Sequence, residues 1–147
     1  MASAMINGLI AEGFSPARLK ASDPNEVALS QLRDLGLTEV STSPERIFEG
    51  ADLVVAAVKP QIVPSALAAI GDQLGPDTAL LSIAAGLPTA SLQAYAGPDV
   101  PIIRCMPNTP AMIGLGASAL FASDSVSKAH RALAEQVASA AGTTVWV

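Results

Sequence analysis

The stretch RCMPNTPAMIGLGAS, residues 104–118, combines residue types that are unusual inside an apolar chain. Two prolines bracket an Asn-Thr pair, and a Gly-x-Gly follows within a few residues. Such a loop could cradle a phosphate, face a substrate, or form only a turn between strands. The formal Gly-x-Gly-x-x-Ala match at 114–119 needs a helix directly after it to bind a dinucleotide. A strand-like ASALFA follows instead, which favours a glycine turn.

Three further groups lie at the ends of predicted strands. Ser22-Asp23 offers a hydroxyl for a 2′-phosphate and a carboxylate for a ribose diol, although Asp23 also suits a helix N-cap. Lys59-Pro60 after Val58 is either a solvated strand exit or a backbone cradle held by proline. Ala84-Ala85-Gly86 would let a flat ring approach closely, or would pack a helix tightly against a strand.

Composition excludes several classes of function. The chain has 147 residues, 50% hydrophobic and 14% charged, a mean hydropathy of +0.44 and a net charge of −5. No basic run suggests a nucleic-acid partner, and no apolar run of about 20 residues suggests a membrane span. The first 17 residues lack the basic start of a signal peptide. With one cysteine, Cys105, and one histidine, His130, we expect neither a metal site nor a Ser-His-Asp triad, and we interpret His130 as structural or solvated.

The elements that position these groups alternate between strand and helix. Strands are predicted at 18–22, 37–40, 52–58, 79–83, 101–104, 117–122 and 143–147. Helices are predicted near the start of the chain, after an Asp23 N-cap, after a Ser43-Pro44 cap, after Gln61, from Pro88, and at 125–141. This alternation indicates an open, doubly wound, mostly parallel α/β sheet, in which ligands bind at the carboxyl ends of the strands.

Four segments resemble one known family, in the same order and over essentially the whole chain. SAMINGL (3–9), AVKPQ (57–61), SIAAG (82–86) and RCMPNTPAMIGLGAS closely resemble pyrroline-5-carboxylate reductase. That family makes L-proline by reducing a cyclic imine with NADPH or NADH. The resemblance implies a Rossmann-like NAD(P)-binding domain, a cytoplasmic location and a homo-oligomeric longer protein.

The resemblance also implies a set of cofactor contacts. Ser22 would face the 2′-phosphate, Ser43 the adenine, and Asn108 with Thr109 the nicotinamide and imine. The remaining matching positions, along the ribose and nicotinamide, are Ala57, Val58, Lys59, Pro60, Ile83, Ala84 and Ala85. No catalytic side chain is assigned, because a protonated imine accepts hydride directly at carbon and the protein mainly aligns the reactants. Ser22 suits NADPH and Asp23 suits NADH, so both cofactors remain open.

Two departures from the family pattern stand out. The family begins with a strand and a glycine loop that would precede Met1, and it continues past Val147 into a helical domain that forms the oligomer. We therefore expect residues 1–147 to be a truncated NAD(P)-binding domain. A lost central strand leaves backbone groups unpaired at about 1–3 kcal/mol each where buried, against a total stability of about 5–15 kcal/mol. We expect the chain alone to be unstable or to aggregate, and to bind NADPH weakly.

Two alternatives stay open. A β-hydroxyacid dehydrogenase has a similar cofactor domain, although Met1-Ala2-Ser3 and the MPNTP loop favour the reductase. A non-catalytic α/β binding module could use the same crevice.

Overall fold

The computed structural model describes residues 1–147 as a two-stranded parallel sheet and a five-stranded mixed sheet, both packed against helices. The strands are β1 (Lys20–Ser22), β2 (Glu39–Ser41), β3 (Leu53–Ala56), β4 (Ala79–Ser82), β5 (Ile102–Met106), β6 (Gly116–Ala122) and β7 (Gly142–Trp146). The helices are α1 (Ala2–Ala11), α2 (Glu26–Asp34), α3 (Val63–Ile70), α4 (Thr89–Ala96) and α5 (Lys128–Ser139). None of them is long and apolar enough to cross a membrane.

The larger sheet has the order β3-β4-β5-β6-β7, and β1 pairs only with β2. The β1–β2, β3–β4, β4–β5 and β6–β7 pairs are parallel, whereas β6 runs antiparallel to β5. The predicted class, a Rossmann-like and mostly parallel α/β sheet, is confirmed. Because β3, β4 and β5 share one direction, their carboxyl ends meet at one edge of the sheet.

The core lies on both faces of the five-stranded sheet. On one face Leu81 and Ile103 pack in a cluster with residues of α1 and α5. On the other face Leu80 and Ile102 pack with residues of α3 and α4. All four residues of β4 are buried, as expected for a central parallel strand covered on both sides. The sheet edge at the ends of these strands is therefore held rigidly.

Two predicted helix starts are wrong. Asp23 is not an N-cap: Asn25 is, and its side chain accepts from the Val27 amide, while Asp23 accepts from the Asn25 amide. Ser43-Pro44 starts no helix, because residues 45–50 form turns in which Arg46 adopts a φ of 63°. The last helix is also shorter than predicted, since the Ser127 hydroxyl caps it by accepting from the His130 amide.

Gly8 allows α1 to pack directly on the end of α5. A Cβ at Gly8 would lie 2.0 Å from the Ala140 carbonyl oxygen, which is backbone and cannot rotate away. We expect Gly8→Ala to lower the free energy of unfolding by about 1–3 kcal/mol, as overpacking does. The control is Gly71→Ala, where a Cβ would meet nothing within 4 Å and φ is −57°.

Urea titration in buffer with trimethylamine oxide, which favours the compact state, would compare the two variants. Equal midpoints for both would contradict this account of the α1–α5 contact.

Candidate functional site

A cleft of about 680 Å³ separates β1 from β3, and several of the predicted site residues line it. Ser22, Ala57 and Val58 lie along it where β1 and β3 end, together with Asp23 and Thr42. Near the starts of the same two strands, the Nζ of Lys20 in β1 donates to the carbonyl of Glu49, which precedes β3, at 3.4 Å. The ends of β1 and β3 thus line the same cleft.

The Ser22-Asp23 corner is fixed by backbone geometry. The Asp23 amide donates to the Ser41 carbonyl at 3.2 Å, which extends the β1–β2 ladder by one step. One carboxylate oxygen of Asp23 accepts from the Asn25 amide at 2.8 Å. That bond holds the turn into α2 and leaves the second oxygen for a ligand. The corner thus presents a hydroxyl and a carboxylate oxygen side by side.

Ser43 lies outside the cleft lining, which its neighbours Thr42 and Pro44 join. Its amide donates to the Ser41 hydroxyl at 3.1 Å and its own hydroxyl accepts from the Glu45 amide at 3.4 Å. The side chain is exposed and forms part of the local turn. Of these two hydroxyl residues, the structure brings Thr42 rather than Ser43 to the Ser22 corner.

The next two strand ends bring small residues to the same edge. The Ser82 hydroxyl at the end of β4 accepts from the Ala84 amide at 3.3 Å, so the chain turns sharply there. Ala84 is buried, Ala85 is exposed and Ile83 is half-buried. A smaller cavity of about 110 Å³ lies between β4, β5 and β6, and Ala84, Arg104 and other residues line it. The small residues 84–86 leave room beside β5.

The loop after β5 is closed by Asn108. Its side-chain oxygen accepts from the Ala117 amide at 2.9 Å, which joins the start of the loop to β6. A 3₁₀ turn at 109–113 and Gly114, with a φ of 76°, complete the reversal. A Cβ on Gly116 would lie 2.6 Å from the Ala111 side chain. The glycine turn is confirmed, and no helix follows Gly116 that could bind a pyrophosphate.

Thr109 and Asn108 are exposed at the sheet edge but line neither cavity. Lys59 is exposed as well. The Pro60 carbonyl accepts a hydrogen bond from the Val63 amide at 3.3 Å, in the turn that leads into α3. These residues stand around the strand ends, whereas Ser22, Ala57 and Val58 stand inside the cleft. The predicted set therefore divides between a cleft wall and an outer rim.

The Cys105 thiol lies beneath this edge and is buried. Burial raises the pKa of the Cys105 thiol, and a hydrogen bond with Ser118 opposes this only in part. The thiol is therefore neutral near pH 7 and unreactive. His130 lies away from the edge, with Nε2 at 3.2 Å from the Asp77 carbonyl oxygen.

The residues present suit a dinucleotide cofactor at its ribose and ring portions. The cleft mouth offers the Ser22 hydroxyl and an Asp23 oxygen, and small side chains at 57 and 84–85 leave space for flat rings.

Reasoning from the sequence missed Thr42, Ser82 and Arg104. Ser82 could have been found from the sequence, because a serine at the end of an apolar strand often accepts a hydrogen bond from the backbone amide two residues later. Arg104 follows two buried isoleucines, and only the β4–β5–β6 register places it between Ser82 and Phe121. No sequence pattern predicts that Arg104 lies there.

We expect Asn108→Ala to loosen the loop, because the Ala117 amide loses its partner at a cost of about 1 kcal/mol. Asn108→Asp is the matched control, since it keeps an acceptor oxygen at the same position. Amide hydrogen exchange at Ala117 should accelerate in the alanine variant and stay near the original rate in the aspartate variant. Unchanged exchange in both would show that the bond does not hold the loop.

Comparison with known proteins agrees with this geometry. Residues 1–86 match the family described as NADP oxidoreductase coenzyme F420-dependent. The whole chain is 40% identical to the pyrroline-5-carboxylate reductase of Pseudomonas aeruginosa and 36% identical to that of Haemophilus influenzae. In each case it spans 54% of the relative, so the chain covers about half of their length.

Solved structures give the same result. A pyrroline-5-carboxylate reductase from Coxiella burnetii superposes on 99% of this chain and 54% of its own, with a TM-score of 0.94 and 31% identity. The Plasmodium falciparum pyrroline carboxylate reductase with NADP bound has a TM-score of 0.83 at 24% identity, over 99% of this chain and 53% of its own. The chain thus belongs to the family described as NADP oxidoreductase coenzyme F420-dependent, and it is similar over its whole length to pyrroline-5-carboxylate reductases.

Proposed function

We propose that the protein carrying these residues reduces 1-pyrroline-5-carboxylate to L-proline with a nicotinamide dinucleotide. The observation that supports this most is the Met106–Pro110 run, which leaves β5 beside the ends of β3 and β4 in a chain 40% identical to a reductase of that name. The reaction needs alignment of the two reactants and no activated nucleophile, so the neutral Cys105 thiol accords with it.

The cofactor extends from the β1 corner to the loop after β5. Ser22 and Asp23 hold the ribose nearest the adenine, and the turn at Ser43 lies beyond it on the adenine side. Residues 57–60 lie along the ribose on the nicotinamide side of the cofactor. The backbone of residues 83–85 lies beneath the nicotinamide ring. When bound, the cofactor supplies a hydride, and Asn108 with Thr109 shape the space where the imine carbon receives it.

Residues 1–147 form the cofactor-binding part of this enzyme. The rest of the substrate site, and the surfaces that join subunits into a homo-oligomer, belong to sequence outside these residues. The chain spans 54% of the relatives that it matches, which leaves room for both. The negative net charge accords with a small-molecule substrate rather than a nucleic acid.

Activity is tested on a longer protein that contains these residues and the remaining length typical of the relatives. We expect NAD(P)⁺-dependent oxidation of L-proline at alkaline pH, and imine-dependent NAD(P)H consumption at neutral pH. Short-chain β-hydroxy acids are the comparison substrates. Turnover of a hydroxy acid but not of proline would replace the reductase by a hydroxyacid dehydrogenase, and cofactor binding without turnover of either would favour a binding module.

NADPH is the preferred cofactor in this proposal, because the Ser22 hydroxyl at the cleft wall can donate to a 2′-phosphate. We expect Ser22→Ala in the longer protein to raise the Kd for NADPH about fivefold, the equivalent of one hydrogen bond of about 1 kcal/mol, and to leave the Kd for NADH unchanged.

Ser30→Ala is the matched control, because Ser30 is an exposed residue of α2 that lines neither cavity. Fluorescence titration of each reduced cofactor gives the four constants. A Ser22→Ala variant that weakens both cofactors equally would assign the preference to other residues.

A further inference from the structure

The turns that follow β2 are held by a side chain from a distant part of the chain. Gln73 is 8% exposed and ends the short 3₁₀ turn Gly71–Gln73 after α3. Its Nε2 donates to the Pro44 carbonyl at 2.8 Å, and its Oε1 accepts from the Phe48 amide at 2.7 Å. Both ends of this buried carboxamide are therefore bonded to one turn, 25 and 29 residues earlier in the chain.

The two backbone groups that Gln73 bonds are the pair that one turn of α-helix would join. In a helix the amide of residue 48 donates to the carbonyl of residue 44, four residues earlier. Here each of these groups bonds to the Gln73 carboxamide instead. A side chain that inserts into this ladder of bonds interrupts a helix. Gln73 therefore holds residues 44–48 in an open turn.

The local sequence favours the helix that Gln73 interrupts. Ser43-Pro44 is a typical helix start, and the Ser43 hydroxyl accepts from the Glu45 amide at 3.4 Å, as an N-cap side chain does. The open turn also contains Arg46 at a φ of 63°, a conformation that costs energy in residues other than glycine. The two Gln73 bonds offset this local preference, which explains why the helix predicted after Ser43-Pro44 does not form.

We propose that Gln73 is a positioning residue for the adenine end of the cofactor. Pro44 and Phe48 line the cleft together with Thr42 and the Ser22 corner, whereas Gln73 itself does not line it. A direct bond from the Phe48 amide to the Pro44 carbonyl would bring these two residues closer together and reshape this wall of the cleft. The inference rests on the proposed function, because it takes the cleft as the cofactor site.

A second side chain from the same connection fixes the other end of this wall. Thr78 is 7% exposed, and its hydroxyl donates to the Ala51 carbonyl at 2.7 Å. Thr78 thus holds the chain just before β3 begins, while Gln73 holds the turn that precedes it. Because Gln73 is uncharged and bonds only to backbone, its substitution tests the shape of the wall without changing the charge of the cleft.

The test compares Gln73→Met with Gln93→Met in the longer protein. Methionine is unbranched and of similar length, and it removes both bonds. Gln93 is the matched control, because its Nε2 donates to the carbonyls of Gly97 and Val100 and because it lines neither cavity. Each variant loses two side-chain bonds to the backbone, so we expect similar decreases in melting temperature. A difference in cofactor binding then reports the shape of the cleft and not a loss of stability.

We expect Gln73→Met to raise the KM for NADPH and for NADH alike by about tenfold, the effect of one or two lost hydrogen bonds. The kcat should stay within about twofold of its original value, since binding energy shared by the ground and transition states is lost. Both cofactors carry the same adenine end, so this result differs from that expected for Ser22→Ala. Gln93→Met should leave both KM values unchanged.

Fragments of the cofactor locate the effect without turnover. Isothermal titration calorimetry should show that Gln73→Met weakens ADP-ribose by about tenfold and leaves nicotinamide mononucleotide unchanged. On the unsubstituted protein, ADP-ribose should slow the amide exchange of residues 44–50, whereas nicotinamide mononucleotide should not. The exchange measurement needs no variant, so it decides the question even where Gln73→Met fails to fold.

Three results would overturn the role of Gln73 and leave the reductase function in place. They are unchanged cofactor KM values in Gln73→Met, an equal rise in Gln93→Met, and no effect of ADP-ribose on exchange at 44–50. A longer protein that binds neither ADP-ribose nor NAD(P)H would overturn the proposed function and the role of Gln73 together. Binding of ADP-ribose that depends on Gln73, without turnover of the imine, would support this role and overturn only the proposed reaction.

Discussion

A strand that is covered on both faces by helices has no water to bond its backbone, so both of its edges must be paired within the protein. β4 meets this condition between β3 and β5, and its four residues are all buried. β3 meets it on one edge only, and so does β1. The arrangement of the molecule follows from this difference: a well-packed five-stranded sheet lies on one side of the cleft, and the two-stranded sheet lies on the other. Ile6 and Ile10 of α1 pack toward α2 and β2, whereas Met5 and Leu9 of the same helix pack toward the larger sheet.

The same constraint determines where chemistry can occur. Parallel pairing brings the ends of β3, β4 and β5 to one edge of the sheet. The Ser82–Ala84 bond and the Asn108–Ala117 bond then hold two of these exits in place. The hydride transfer proposed for the longer protein depends on the alignment of two reactants more than on an acid or a nucleophile. The neutral, buried Cys105 beneath the edge is consistent with that requirement.

The fold class could be predicted from the sequence because its signals are local and strong. Residues 79–82 are an apolar run of strand length, and α4 begins at Thr89, directly after the predicted Pro88 start. The helix start near residue 23 was placed wrongly because Asp23 and Asn25 are both good caps, and only the bond from the Val27 amide distinguishes them. The turn at 45–50 depends on Arg46 at a positive φ, which its residue type does not favour. A local sequence pattern predicts neither the Asn25 N-cap nor the turn at 45–50.

The site could be predicted only in part for a related reason. A motif identifies which residues leave a strand, whereas the pairing of strands decides which of those exits face one another. Ser22, Ala57 and Val58 share one cleft because β1 and β3 flank the same gap, and Ser43 is excluded from its lining by a turn that its own hydroxyl stabilises. The width of the gap is also a property of pairing, not of any segment read alone.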